Sequence, residues 1–141
     1  MGFWTLGNTL ALYCWIAVGS ALGGIARYWC SGVAARLFGE TFPWGTLFVN
    51  VSGSLLIGLF ATLTGPDGRM FAGSTARQFV MLGLLGGFTT FSSFSLQTLN
   101  LAQDSEWLQA GGNIVASVVL CLIAVWLGHL LALSINAMKW I

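Results

Sequence analysis

Four long stretches of this sequence contain no charged side chain, and this feature most constrains what the chain can fold into. They cover residues 1–26, 41–66, 78–103 and 107–138, and the last contains the single histidine, His129. Each exceeds the ~20 residues that a helix needs to cross the hydrocarbon core of a bilayer. Only 6% of the 141 residues are charged and 57% are hydrophobic, so a small soluble domain cannot bury this apolar surface. The sequence therefore predicts an integral membrane protein.

The spacing of the charges predicts an all-α protein with a single transmembrane domain, residues 1–141. We expect four transmembrane helices at about 10–30, 45–64, 76–101 and 107–136. The first lacks the charged start and the cleavage pattern of a signal peptide, so it is interpreted as a mature helix. Tryptophans near the expected helix ends suit the membrane interface: Trp29, Trp44, Trp107 and Trp140. The composition excludes soluble enzymes and nucleic-acid binders, and the lipid bilayer is the first expected partner.

The few basic residues also bear on orientation. The side that holds the N-terminus, the second loop and the C-terminus carries Arg69, Arg77 and Lys139, whereas the opposite side carries Arg27 and Arg36. This balance is too even for the positive-inside rule to select one orientation clearly. Either the chain inserts both ways round and pairs as an antiparallel dimer, or Arg27 snorkels and one weakly favoured orientation prevails.

Residues 86–95, Gly-Gly-Phe-Thr-Thr-Phe-Ser-Ser-Phe-Ser, concentrate glycine and hydroxyl groups inside the third span. Glycine pairs are a common cause of helix breaks. Irregular backbone at membrane depth is tolerated only where it is buried in protein or lines a cavity. We therefore expect a break in the third helix, with freed carbonyls that can coordinate a cation.

Hydroxyl and aromatic side chains follow this expected break. The hydroxyl residues recur every three positions: Thr89, Ser92, Ser95 and Thr98. Phe91 and Phe94 form an i, i+3 pair nearby, and the positive edge of an aromatic ring can face an anion. The alternative is a helix–helix interface in which the hydroxyls bond to carbonyls one turn earlier.

Further polar candidates lie in the second and fourth spans. Asn50 needs hydrogen-bond partners in hydrocarbon, and it serves either a pore or a contact between helices. Asn113, Ser117 and Cys121 follow at intervals of four residues and form one narrow polar stripe. His129 continues this stripe and is interpreted as a helix-packing residue.

The chemistry that is missing narrows the function. No Asp or Glu lies within any span, so the usual proton relay of a coupled pump is absent. The three cysteines lack metal-ligand spacing, and no nucleophile–base pair or nucleotide motif is present, which argues against an enzyme. Arg27, near the end of the first expected span, either snorkels or draws anions toward a pore mouth. These features favour passive conduction of a small ion.

Three blocks of the sequence resemble the Fluc (CrcB) family of fluoride channels. They are residues 24–29, Gly-Ile-Ala-Arg-Tyr-Trp, residues 43–50, Pro-Trp-Gly-Thr-Leu-Phe-Val-Asn, and residues 86–95. The fourth span matches mainly through Ser117 and Gly128. The resemblance covers nearly the whole chain after the first ten residues.

The resemblance implies a passive, fluoride-selective channel of the inner cell membrane that lowers cytoplasmic fluoride. It implies an antiparallel, dual-topology homodimer with two fluoride pathways. It also implies a central structural sodium ion, held by the backbone carbonyls of Gly86 and Thr89 from each subunit.

The resemblance further implies roles for individual side chains. The fluoride pathway is expected to involve Asn50, Phe91, Phe94, Ser117, Asn113, Thr46, Ser93 and Gln97. Arg27 matches the vestibule arginine of the family. Family members often carry Glu where this chain has Gln97, so the polar track of Thr46, Ser93 and Gln97 departs from the family pattern at that position.

The alternative function is a proton-coupled exporter of the small dual-topology type, carrying a small molecule or fluoride. An exporter of this type resembles proteins whose proton-coupled mechanism needs a glutamate in the first helix. The first span of this chain contains none.

Overall fold

The computed structural model describes residues 6–138, which form helices joined by short loops. Lys139 and Trp140, which entered the charge balance and the interface pattern, lie outside the described residues. The elements are α1 (Leu6–Phe38), α2 (Trp44–Leu63), α3 (Ser74–Gln78), a π-helical segment (Phe79–Leu85), α4 (Gly86–Phe88), α5 (Phe91–Gln103) and α6 (Trp107–Ala137).

Four of the resulting segments are long and apolar enough to cross a membrane, as the sequence predicts. They are Gly7–Phe38, Trp44–Leu63, Ser74–Gln103 and Trp107–Ala137, with mean hydropathy from 1.5 to 2.5. Many large apolar side chains on these helices are exposed in the single chain, which suits contact with lipid or with another subunit.

The first helix is longer than the expected 10–30. It continues to Phe38 because residues 31–38 contain no proline, and it ends at Gly39, whose φ of 79° suits a left-handed C-terminal cap. The Gly39 N–H bonds to the Ala35 carbonyl at 2.9 Å. Arg27 therefore lies inside α1, eleven residues or about 17 Å before its end, rather than close to the end.

Glycines allow the helices to pack closely within the chain. α2 and α6 form the most extensive helix pair, and Gly58 and Gly128 lie directly against backbone carbonyls of the opposite helix. Gly19 of α1 lies against the π-helical segment, where a Cβ would come within 2.8 Å of the Phe79 carbonyl oxygen. Small residues thus hold the four spans together, as they do in other membrane bundles.

The third span is interrupted, but not at the glycine pair. Gly86 and Gly87 are helical, and Gly87 is needed because a Cβ there would approach the Ser20 carbonyl of α1 to 2.5 Å. The chain becomes extended only at Thr89 and Thr90, whose ψ angles are 160° and 116°. The expected break is therefore present, but it falls two residues after the glycine pair, and Gly87 serves close packing against α1.

Two arginines tie the loop after α2 to neighbouring helix ends. The Arg69 backbone N–H donates to Asn136 Oδ1 at 3.1 Å, and its Nη1 donates to the Ile135 carbonyl at 3.0 Å. Arg77 donates to both the carbonyl and the hydroxyl of Thr64, the residue that ends α2. Cations at the C-terminal ends of helices complement the helix dipole. These two arginines therefore stabilise one end of the bundle.

Candidate functional site

A cleft of about 330 Å³ opens beside the break in the third span. It is lined by residues of α2, the extended link, α5 and α6: Asn50, Thr89, Thr90, Phe91, Phe94, Ser117, Val118, Cys121 and Leu122. Five of the residues expected to contact fluoride or sodium therefore meet in one place, although they come from three different spans. The five are Asn50, Thr89, Phe91, Phe94 and Ser117.

Asn50 holds the extended link in place. Its Nδ2 donates to the Thr90 carbonyl at 2.9 Å, and its Oδ1 accepts from the Thr90 N–H at 2.7 Å. The side-chain amide thus satisfies both backbone groups of a residue that has left the helix, which is the requirement for irregular backbone at membrane depth. One of the two Nδ2 hydrogens remains for a further acceptor.

Two backbone donors at the break are diverted from the carbonyls they would reach in a continuous helix. There, Thr90 N–H would bond to the Gly86 carbonyl and Ser93 N–H to the Thr89 carbonyl. Instead, Thr90 N–H donates to Asn50 Oδ1, and Ser93 N–H donates to Thr90 Oγ1 at 3.1 Å. The Gly86 and Thr89 carbonyls therefore lose their helical donors.

Two phenylalanines at the start of α5 form the aromatic part of the cleft. The ring centroids of Phe91 and Phe94 are 5.1 Å apart, with the planes tilted by 53°. Phe91 is 76% exposed and Phe94 is 7% exposed, so one ring lies at the surface and the other inside. This tilted arrangement directs ring edges, which carry partial positive charge, in different directions.

Ser117 and Asn113 behave differently, although both were expected to line a pathway. Ser117 lines the cleft. Asn113 is only 1% exposed, lies behind Ser117, and bonds to Thr98 of α5 through Nδ2 at 2.8 Å. Ser117 Oγ donates to Asn113 Oδ1 at 3.3 Å. Asn113 therefore supports the cleft from behind.

The remaining predicted residues do not line this cleft. Thr46 is buried in the first turn of α2, and Arg27 lies on α1. Ser93 contacts Thr90 Oγ1 through its own hydroxyl at 3.1 Å. Gln97 has a buried Oε1 without a hydrogen-bond partner among the described residues. The structure does not gather the track of Thr46, Ser93 and Gln97 around the same opening.

Two threonines that were not among the predicted site residues are central to the geometry. Thr90 caps α5 and is clamped by Asn50, and Thr98 joins α5 to Asn113. A threonine directly before a helical segment is a signal for an N-cap, so Thr90 was recognisable in principle. Thr98 belongs to the evenly spaced hydroxyl series, and it donates to the Phe94 carbonyl one turn earlier, as the helix-interface alternative expects. Its bond to Asn113 had no sequence signal, because that partner lies on another helix.

Histidine and cysteine side chains lie apart from the cleft or line it singly. No group of three metal-ligating His, Cys, Asp or Glu side chains occurs within residues 6–138. Cys14, Cys30 and Cys121 are free thiols. His129 Nδ1 lies 2.8 Å from Thr62 Oγ1, which agrees with its interpretation as a helix-packing residue.

Together, the fold and the site define a small polytopic membrane protein whose polar cleft is built from amides, hydroxyls and aromatic rings. Residues 14–129 match the family described as CrcB-like protein, Camphor Resistance (CrcB). The chain belongs to this CrcB family, which confirms the resemblance seen in its motifs.

Relatives of known name support the same assignment. The chain is 63% identical to the fluoride-specific ion channel FluC of Opitutus terrae, over 92% of this chain and 98% of that protein. It is 63% identical to the FluC channel of Methylocella silvestris, over 90% of this chain and 97% of the relative. The channel of the same name from Rhodospirillum rubrum is 60% identical, over 88% of this chain and 96% of the relative.

Proposed function

We propose that this protein is a passive, fluoride-selective ion channel and not an enzyme. The observation that carries this function is the cleft itself, which offers an amide, a hydroxyl and ring edges, with no charged side chain in its lining. Fluoride is small and strongly hydrated, so its loss of water must be offset by several close donors. Neutral donors provide this while still allowing the ion to leave.

The positions of the acidic residues favour a channel over a proton-coupled exporter. The four carboxylates are Glu40, Asp67, Asp104 and Glu106, and each lies between the membrane-length helices. No Asp or Glu therefore lies at membrane depth to carry a proton, which a coupled exporter would require.

A structural sodium ion at the break is part of the proposal. The diverted donors leave the Gly86 and Thr89 carbonyls available, and neutral backbone oxygens are suitable ligands for a hard cation. When bound there, sodium supplies a fixed positive charge that raises the affinity of the neighbouring cleft for an anion. Asn50 and Thr90 hold the extended link in the form that frees these carbonyls.

The functional unit is proposed to be an antiparallel homodimer with dual topology and two pathways. The cleft opens on the surface of the single chain, where Phe91 is exposed, and a second subunit packed there would enclose it. The even balance of basic residues favours insertion in both orientations. We place this dimer in the inner cell membrane, where fluoride efflux reduces the toxicity of the ion.

The function is tested by reconstituting the purified protein in liposomes loaded with potassium fluoride and following efflux with a fluoride electrode. Valinomycin sets the voltage. We expect fluoride efflux that depends on valinomycin, is indifferent to an imposed pH gradient, and far exceeds chloride efflux measured in parallel. Absence of fluoride efflux, or equal chloride efflux, contradicts the proposal. Efflux that follows the pH gradient supports the coupled exporter instead.

The sodium site is tested in the same liposomes after prolonged dialysis against sodium-free buffer on both sides. We expect activity to disappear and to return when sodium is restored, since the carbonyl ligands hold the ion without a counter-charge. Activity that is unchanged after sodium removal would contradict the sodium site and leave the channel function standing.

A further inference from the structure

Behind the cleft, side chains of α5 and α6 form one directed chain of hydrogen bonds. Ser117 Oγ donates to Asn113 Oδ1 at 3.3 Å, and Asn113 Nδ2 donates to Thr98 Oγ1 at 2.8 Å. Thr98 Oγ1 donates in turn to the Phe94 carbonyl at 2.8 Å. The chain therefore starts at a residue of the cleft and ends on the backbone of another.

The Phe94 carbonyl sets the direction of this chain. A carbonyl only accepts, so it takes the single hydroxyl proton of Thr98. Thr98 Oγ1 can then only accept from its other neighbour, which requires Asn113 to turn its NH2 group toward Thr98. Asn113 Oδ1 consequently faces Ser117, and the Ser117 hydroxyl must donate to it. At rest, the Ser117 proton is thus held by Asn113 and not offered to the cleft.

This arrangement limits how tightly Ser117 holds an anion. Its bond to Asn113 is the longest in the chain, so its proton can turn toward an anion in the cleft. That rotation leaves the deeply buried Asn113 Oδ1 without a donor, which lowers the net gain. Flipping the Asn113 amide would remove this cost, but it would place Oδ1 against Thr98 Oγ1, and both atoms are then acceptors.

We propose that Thr98 is a positioning residue for anion conduction. By fixing the orientation of the Asn113 amide, Thr98 makes Ser117 a weak and releasable donor, which favours rapid passage over tight binding. This inference rests on the proposed function, because it concerns the same cleft. It assigns a role to a side chain that does not itself line the opening.

The test is Thr98→Val, which removes the hydroxyl and keeps the β-branched shape. Without the hydroxyl, Asn113 can flip and donate to Ser117 Oγ, so the Ser117 proton remains available to the anion. We expect the half-saturating fluoride concentration of the single-channel current in planar bilayers to fall about fivefold, the scale of one buried hydrogen bond. The maximum current should fall as well, because the ion leaves more slowly.

Two variants serve as controls for packing. Thr98→Ser keeps the hydroxyl and should restore both values toward those of the unmodified protein. Thr62→Val is a matched change at another threonine, which donates to the carbonyl four residues earlier at 2.9 Å and contacts His129 of α6. It should leave the fluoride dependence unchanged, because Thr62 lies outside the chain of bonds behind the cleft.

A double variant tests whether Thr98 acts through Ser117. In a Ser117→Ala background, Thr98→Val should no longer shift the half-saturating concentration.

In the otherwise unmodified protein, an unchanged or raised half-saturating concentration in Thr98→Val overturns the inference, since lost packing alone would produce it. If Thr98→Val does not yield folded protein, Thr98→Ala removes the same hydroxyl and is judged identically. Absence of any fluoride current in the unmodified protein would instead overturn the proposed function.

Discussion

Two cavities formed by the described residues differ in chemistry, and the smaller one holds the polar groups. The larger, a groove of about 810 Å³ between α1, α2 and α6, is lined almost entirely by apolar side chains. Its one hydroxyl, on Ser52, already donates to the Phe48 carbonyl at 2.7 Å. The cleft at the break has about 330 Å³ and combines the amide of Asn50, the hydroxyl of Ser117 and two aromatic rings.

This difference shows that volume is a poor guide to function inside a membrane. An apolar groove on a membrane helix bundle is satisfied by hydrocarbon, since lipid tails and aliphatic side chains are equally apolar. A polar cleft at the same depth is costly unless its groups have partners, and Asn50 and Ser117 find theirs within the protein. The hydrogen-bonding capacity that remains, such as the second Nδ2 hydrogen of Asn50, is what an anion can use. Paired variants test this contrast. One residue of each pair lies in the cleft, and its control lies in the groove or outside both cavities.

The largest effect is expected for Asn50→Asp. The change preserves shape but replaces the donor to the Thr90 carbonyl with a negatively charged oxygen beside an anion pathway. Like-charge repulsion of a few kcal/mol implies a loss of fluoride efflux of about 100-fold or more. Asn100→Asp, on an exposed position of α5, is the matched control and should retain nearly full efflux. Efflux close to normal in Asn50→Asp would remove Asn50 from the pathway.

A smaller but still large effect is expected for Phe94→Ile. It removes the buried ring that faces Phe91 and its electropositive edge, so fluoride efflux should fall on the order of tenfold. Phe48→Ile makes the same change in the apolar groove and should leave efflux unchanged. Size-exclusion chromatography of both variants checks that the proposed dimer persists. Equal losses in the two variants would abolish the distinction between the cavities.

The smallest effect concerns two native thiols, because Cys121 lines the cleft and Cys30 lines the groove. Methyl methanethiosulfonate adds a small, neutral S-methyl group. We expect it to reduce fluoride efflux about threefold by narrowing the cleft at Cys121. The effect should vanish in Cys121→Ser and persist in Cys30→Ser, with mass spectrometry reporting the modified thiol. Protection by Cys30→Ser would place the sensitive thiol in the groove instead.

The sequence was a good guide to the spans and an incomplete guide to the site. Mean hydropathy is a property of consecutive residues along the chain, so it can be read from the sequence alone. The observed bounds of two helices lie within a residue or two of those expected: Trp44–Leu63 for α2 and Trp107–Ala137 for α6. The polar segment 86–95 was recognised for the same reason. The end of α1 at Phe38 lies beyond the expected span 10–30, because a helix can continue past the ~20 residues that are needed to cross a bilayer.

The roles of individual polar residues were harder to predict. The Gly86–Gly87 pair looks like a helix breaker in isolation, yet both residues are helical, and Gly87 packs closely against Ser20 of α1. Asn113 looked equivalent to Ser117 on one stripe, yet only Ser117 reaches the cleft. In both cases a neighbouring helix decides the outcome, and its position is not encoded in local periodicity.

By itself, the sequence determined that this chain resides in a membrane, crosses it with four helices, and places no carboxylate within them. These properties follow from composition along the chain, because the cost of burying charge in lipid applies residue by residue. Only the tertiary structure decided where the third span opens and which groups meet there. The Asn50–Thr90 clamp joins residues 40 positions apart, and the Asn113–Thr98 bond joins two different helices. Hydrogen bonds of this kind depend on how helices pack, and packing is a property of the whole bundle.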